Sequence, residues 1–183
     1  MAGRPRSFDR QKALDIAVEQ FWRNGYEDTT VASLTREMGI AAPSLYAAFG
    51  DKDQLFAEAV ECYSGINLIQ IDAALALPEV HAAIGELMRG YAAAHTDPET
   101  PLGCLVLTEP RLGDKREILR KRIERRLARG AAEGDLPPET NSADLAGFLV
   151  ATLAGMSVRA RDGASAEEVN AIAALALAAL PAG

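Results

Sequence analysis

The sequence predicts an all-α protein of about nine helices: an N-terminal three-helix head containing a helix-turn-helix, then a C-terminal helical domain. Three observations carry this. Long Ala, Leu, Glu and Arg segments with few β-branched or aromatic runs favour helix throughout. No alternating apolar and polar stretch of useful strand length is present. Glycines, prolines and capping residues punctuate the chain at helix-length intervals. The 183 residues allow one domain or two small ones, and a hydrophobic share of 49% is ample for a packed core.

The first helix is expected from Phe8 to about Asn24, with Ser7 as N-cap and Gly25 as stop. Leu14, Ala17, Val18, Phe21 and Trp22 recur in it at helical spacing. The second starts after Thr30 and sets Val31, Leu34 and Met38 on one face, ending at Gly39. The third spans about Ala42 to Phe49, with Pro43 in its first turn where a missing N–H is harmless. Asp51 and Gln54 have capping-box spacing and open a fourth helix, whose Leu55, Phe56, Ala59, Val60 and Tyr63 form a stripe that packs on the first three. A fifth contains Ile84, Leu87, Met88 and Tyr91. A sixth is expected from near Gly103 to about Gly113. A seventh follows to about Glu133, with Asp114 and Glu117 as a box-like start. An eighth runs from near Ser142 to about Arg161, and Ser165 with Glu168 opens a ninth ending before Pro181. The domains divide as residues 1–51 and 52–183.

A short helix ending at Met38 and a second carrying Ser44, Leu45, Tyr46 and Phe49, joined through the Gly39 turn, form the layout whose second member enters the DNA major groove. The net charge of −7 does not oppose this, because residues 1–52 carry seven Lys/Arg and seven Asp/Glu and the acidic excess lies further along. Phosphate contact needs cations on one face, not a basic total. No stretch approaches the length of a membrane span, and the start lacks an apolar signal core. Cys62 and Cys104 are isolated thiols without metal-type spacing, so a reduced cytoplasmic setting with no metal and no cofactor is expected.

The order of these parts resembles the TetR family of bacterial transcriptional regulators. The resemblance rests on the helix from Phe8, the GYEDTTVASLTREMGI segment, Pro43-Ser44-Leu45-Tyr46, and the run from Phe49 to Phe56; the remainder matches only in helical layout. It implies a homodimer that binds a palindromic operator, double-stranded DNA, and releases it when a small molecule enters the C-terminal domain. By resemblance Thr30, Ser44, Tyr46 and Lys52 touch phosphates, while Ala42, Pro43, Ala47 and Ala48 face bases. The chain departs from the family pattern in Thr35, where Ala is usual, and in its alanine-rich recognition helix.

Such a helix approaches the groove floor closely and sets methyl groups against thymine methyls. Hydrogen-bond readout then rests on Ser44 and on Arg36 of the supporting helix, with shape readout by a Gly3-Arg4-Pro5-Arg6 arm in the minor groove. The arm could equally be a tail with incidental charge. Tyr46 lies near the edge of the buried face, so it is either a phosphate contact or a core aromatic. Lys52 at a helix start opposes the dipole, which an outside phosphate would rationalise; otherwise it is a solvated lysine. Eight of the nineteen cations crowd the seventh helix. They form a solvated face, a second nucleic-acid surface, or a partner for an anionic ligand.

Helices eight and nine offer Leu145, Leu149, Leu153, Met156, Val169, Ile172, Ala173 and Ala176 either to a four-helix interface between subunits or to an internal core. Candidate pocket residues are Tyr63, Met88, Tyr91, His95, Cys104, Arg111 and Phe148, each also readable as ordinary core or surface. The leading function is a ligand-responsive repressor. The alternative is a helical protein–protein interaction module without specific operator binding. The sequence shows no phosphate loop, nucleophile with its base, or carboxylate pair that would argue for an enzyme.

Overall fold

A computed structural model describes residues 8–182. Among the described residues the chain is nine α-helices and one 3-10 turn, with no strand. It divides into two compact units, Met1–Gly65 and Ile66–Gly183, so the break falls inside a continuous helix, α4.

The N-terminal unit holds α1 (Arg10–Asp28), α2 (Val31–Met38), α3 (Ala42–Phe49) and the first half of α4 (Lys52–Leu75). The cap of α1 is Asp9, whose carboxylate accepts the Lys12 N–H at 3.1 Å, rather than Ser7, which lies outside the described residues. The helix also runs past Asn24. Gly25 breaks it with a φ of 73°, and the turn to Asp28 continues beyond the kink. Thr29 is buried here and donates its hydroxyl to the Gly25 carbonyl at 2.6 Å, which secures the kink. Phe21, Leu34, Leu45, Leu55 and Ala59 are fully buried together, with Tyr26 and Phe56 edge to face at 5.0 Å. Each buried leucine of this set contributes about 1.5–3 kcal/mol.

The C-terminal unit contains the rest of α4, then α5 (Val80–His95), α6 (Leu105–Thr108), a 3-10 turn (Pro110–Leu112), α7 (Gly113–Glu133), α8 (Ser142–Arg161) and α9 (Ala166–Ala178). The expected sixth helix is thus only one turn long, interrupted at Pro110, which cannot supply the N–H that would continue it. Nor does Asp114 cap α7: the helix is entered directly from the 3-10 turn, with no side-chain cap. Arg116 holds that turn instead, donating to the carbonyls of Val106 at 2.8 Å and Glu109 at 2.7 Å. The capping boxes expected at Asp51 with Gln54 and at Ser165 with Glu168 are both formed.

Within this unit α8 packs against α5, α6, α7 and α9 around Ile84, Met88, Ile123, Leu127, Leu149 and Leu153. The loop before α6 requires Gly103. Its φ is 76°, and a Cβ there would lie 2.8 Å from the Ser157 carbonyl oxygen. The close approach lets the Cys104 N–H donate to Ser157 Oγ at 2.7 Å and the Gly103 N–H to the His95 carbonyl at 2.9 Å.

Candidate nucleic-acid interface

The turn between α2 and α3 is made by Gly39, in the left-handed conformation (φ 67°, ψ 30°), followed by Ile40 and Ala41. Leu34 from α2 and Leu45 and Phe49 from α3 are buried, which fixes the two helices against the core by their inner faces. The outer face of α3 is then settled: Pro43, Tyr46 and Ala47 are exposed, and Ala42, Ser44 and Ala48 are half-buried beside them. Tyr46 is 50% exposed, so it is a surface aromatic and not part of the core. The hydroxyl of Thr35 donates to the Val31 carbonyl at 2.9 Å. The departure from Ala is therefore accommodated without an unmet polar group.

Thr30 caps α2. Its Oγ1 accepts the Ser33 N–H at 3.0 Å, and Ser33 Oγ accepts the Thr30 N–H at 3.0 Å. The threonine hydroxyl is thereby committed to the helix end, whose partial positive charge attracts an anion. Replacing Thr30 with Ala should cost about 1 kcal/mol of stability by urea denaturation. An unchanged midpoint would show the cap to be dispensable. Arg36 extends from the same helix with its side chain 74% exposed and, among the described residues, the adjacent Glu37 as ion-pair partner at 3.2 Å. That pair is weak in water and leaves the guanidinium available.

Lys52 has a partner within its own unit. Its Nζ stands 4.0 Å over the Tyr26 ring, so the ring face accounts for a cation at the start of α4 without an outside anion. The Tyr26 hydroxyl in turn donates to Asp53 at 2.7 Å. Arg10 is a residue the sequence reading counted only as charge. It donates to the Ala48 carbonyl and, through two nitrogens, to Glu58 at 2.6 and 2.7 Å, with its guanidinium 4.4 Å over the Phe49 ring. Its hydrogen bonds hold the Glu58 carboxyl below the usual carboxylate range and tie the end of α3 to α1 and α4. No local pattern announces this, because its partners are 38 and 48 residues away. Arg4 and Arg6 lie outside the described residues.

The C-terminal candidates are distributed differently from the expectation. Tyr63 belongs to the N-terminal unit and packs edge to face on Trp22 at 4.9 Å. Met88, Tyr91 and His95 share one face of α5, and the Tyr91 and His95 rings meet at 5.4 Å. Met88, His95 and Cys104 are buried, whereas Phe148 is 45% exposed and Arg111 is exposed. Burial, and secondarily the charge of Arg161, lowers the His95 imidazole to about 4; burial pushes the Tyr91 phenol up. None of the seven lines the cleft of about 440 Å³ bounded by residues of α6, α7 and α8, among them Thr108, Arg120 and Val150. Of the residues offered to a subunit interface, Leu149, Leu153, Met156, Val169, Ala173 and Ala176 are buried within the chain. α8 packs on α5, α6, α7 and α9, and α9 on α5 and α8, so these six side chains are covered by the chain itself. Leu145 and Ile172 are half-buried. The outward faces carry Phe148, Ala151, Gly155 and Val158 on α8 and Ala171, Leu175 and Ala178 on α9.

A supporting helix, a glycine turn and a second helix offering one small-residue face to solvent define a helix-turn-helix DNA-binding protein. The family model for bacterial regulatory proteins of the tetR family matches residues 13–59. The chain is 35% identical to the HTH-type transcriptional repressor ComR of Escherichia coli (strain K12), over 96% of this chain and 90% of that protein. It is 29% identical to the repressor BdcR of the same organism, over 95% and 90%. Among solved structures, the TetR family regulator CifR, a cysteine mutant complexed with 26-bp operator DNA, superposes with a TM-score of 0.92. Its identity is 38%, over 98% of this chain and all of that one. The chain belongs to the TetR family of bacterial regulatory proteins, and it is a DNA-binding transcriptional regulator.

Proposed function

We propose that the protein is a cytoplasmic repressor that binds a palindromic operator as a homodimer and leaves it when a small molecule occupies the C-terminal unit, without catalytic activity. The observation that carries this reading is the α3 face itself. Three alanines, a proline and one serine project from a helix whose opposite side is anchored by Leu45 and Phe49. With so few polar groups the face fits the groove by shape and methyl contact, Ser44 and Arg36 supplying directed hydrogen bonds. Tyr46, at the rim of the face, is placed to donate its hydroxyl to a phosphate. The division of the chain into residues 1–51 for DNA contact and 52–183 for effector binding and dimerisation goes with this reading, although the first half of α4 belongs to the compact N-terminal unit.

The outward faces of α8 and α9 supply the dimer surface. An 18-residue window of α8 has a mean hydropathy of 1.3 yet is only 33% buried, and Ala151 and Gly155 permit close helix approach. In a twofold pairing each apolar side chain is covered twice.

Mobility shift with DNA flanking the protein's own gene, at near-physiological salt and with excess competitor, tests the reading. A discrete competitor-resistant complex is expected. Tyr46→Phe should weaken it by roughly threefold to tenfold on every sequence alike, since a phosphate contact positions without specifying. A preference altered between sequences would contradict the phosphate role. Uniformly diffuse, competitor-sensitive binding across a genomic library would favour the interaction-module alternative.

A further inference from the structure

The C-terminal half of α7 and the end of α4 enclose a cleft of about 300 Å³ lined by Arg122, Arg125, Arg126 and Arg129, with Asp72, Leu75 and Ala76 opposite. Four guanidinium groups thus face a single lining carboxylate. Asp72 is already taken by an ion pair with Arg122. Two further carboxylates flank the cleft without lining it. Glu133 stands 3.4 Å from Arg129, and Asp135 stands 3.8 Å from Arg126 while accepting the Val80 N–H at 3.0 Å.

Arg126 is the telling residue. It is 4% exposed, and Nη2 donates to the carbonyls of Leu77 at 3.1 Å and Pro78 at 2.8 Å, bracing the connection between α4 and α5. Its Nε and Nη1 have no hydrogen-bond partner and are themselves buried, Nη1 lying beside Gly130, so the accessible cations of the cleft are those of its neighbours. A buried charged group with open donors is costly to keep, and like charges beside it add to the cost. Burial and the neighbouring Arg129 both lower its affinity for its proton. Arg125 at the cleft mouth donates only to the Lys121 carbonyl at 3.3 Å, and no carboxylate pairs with it among the described residues.

We propose that this cleft is a binding site for a small polyvalent oxyanion, an organic polycarboxylate or a phosphate ester with a short carbon skeleton. The wall uses arginine throughout, and the planar guanidinium fork matches carboxylate and phosphate oxygens in pairs. Leu75 and Ala76 provide an apolar patch for a few carbons. The volume lies at the small end of ligand pockets. An anion seated here would tie the end of α4 to α7, and α4 is the helix that continues from the DNA-binding unit. The site stands on the cleft alone and does not depend on operator binding.

Calorimetric titration of the DNA-free full chain tests it, using inorganic phosphate, succinate and propane-1,2,3-tricarboxylate against sodium chloride at matched ionic strength. Saturable heat is expected from phosphate if the ligand is a phosphate ester, or from the carboxylates if it is an organic acid. Arg125→Gln, at an exposed position with one main-chain bond, should retain the helical signal and melting temperature and weaken binding by about tenfold. Heats equal to the chloride control for all three probes, or undiminished binding in Arg125→Gln, would overturn the proposal.

Discussion

A Leu175→Glu chain should sediment as a monomer and lose operator binding at concentrations that saturate the parent. Leu175 is 73% exposed on α9, and Phe148 and Val158 are 45% and 48% exposed on α8. Covering such a leucine contributes about 1.5–3 kcal/mol, and twofold symmetry counts it twice. The expected loss of about 3–6 kcal/mol weakens dimerisation by roughly a hundredfold to ten-thousandfold. A monomer engages a single half-site, so operator affinity falls with it. Ile69 is equally exposed but lies on α4, and Ile69→Glu should leave association unchanged. Sedimentation velocity and mobility shift read both variants. A Leu175→Glu dimer of normal strength would remove α9 from the interface.

The second large effect is a loss of stability in mild acid that traces to His95. The imidazole is buried against Tyr91, and its nitrogens have no hydrogen-bond partners. It titrates at about 4 in the folded chain against an ordinary 6.5. As pH falls the unfolded chain takes up the proton first, so stability is full above about 6.5 and declines progressively toward about 4. At about pH 5 the deficit is about 2 kcal/mol, and over the whole gap about 3 kcal/mol. Glu58, Glu117 and Glu168 are held below the ordinary 4.5 by their partners, so their contributions are lost only at lower pH. Urea denaturation at about pH 7.5 and pH 5 should therefore show the loss in the parent and a much flatter response in His95→Leu. Equal slopes in the two proteins would place the acid sensitivity elsewhere.

What the sequence disclosed follows the range of the interactions concerned. Gly39, the Asp51–Gln54 pair and the Ser165–Glu168 pair act within a few residues, and the helices end where they stand. Ser7 and Asp9 are both competent cap residues by type, and Asp9 is the one that accepts the Lys12 N–H. The face of α3 was legible because Leu45 and Phe49, four apart, mark the side that must be buried. α8 is different. It is apolar nearly all round, so periodicity shows two faces to be covered but not which one meets the subunit's own core. The core took Leu149, Leu153 and Met156, leaving Phe148 and Val158 outside. In α7 the charge pattern suggested a solvated face, which holds for Lys121, its side chain 64% exposed beside Glu117. Arg126 is buried because the Leu77 and Pro78 carbonyls, nearly fifty residues away, need a donor. Arg10 and Lys52 owe their places to aromatic rings that only the tertiary fold brings beneath them.

The central claim is sequence-specific recognition by a twofold pair of α3 helices. Selection from a random duplex library with the purified full chain, at near-physiological salt, reads it most directly. One inverted repeat should be enriched, its half-sites about one helical turn apart centre to centre, with enrichment lost in Leu175→Glu. A pool that stays unenriched after repeated rounds, or one yielding only unpaired half-sites, would contradict it.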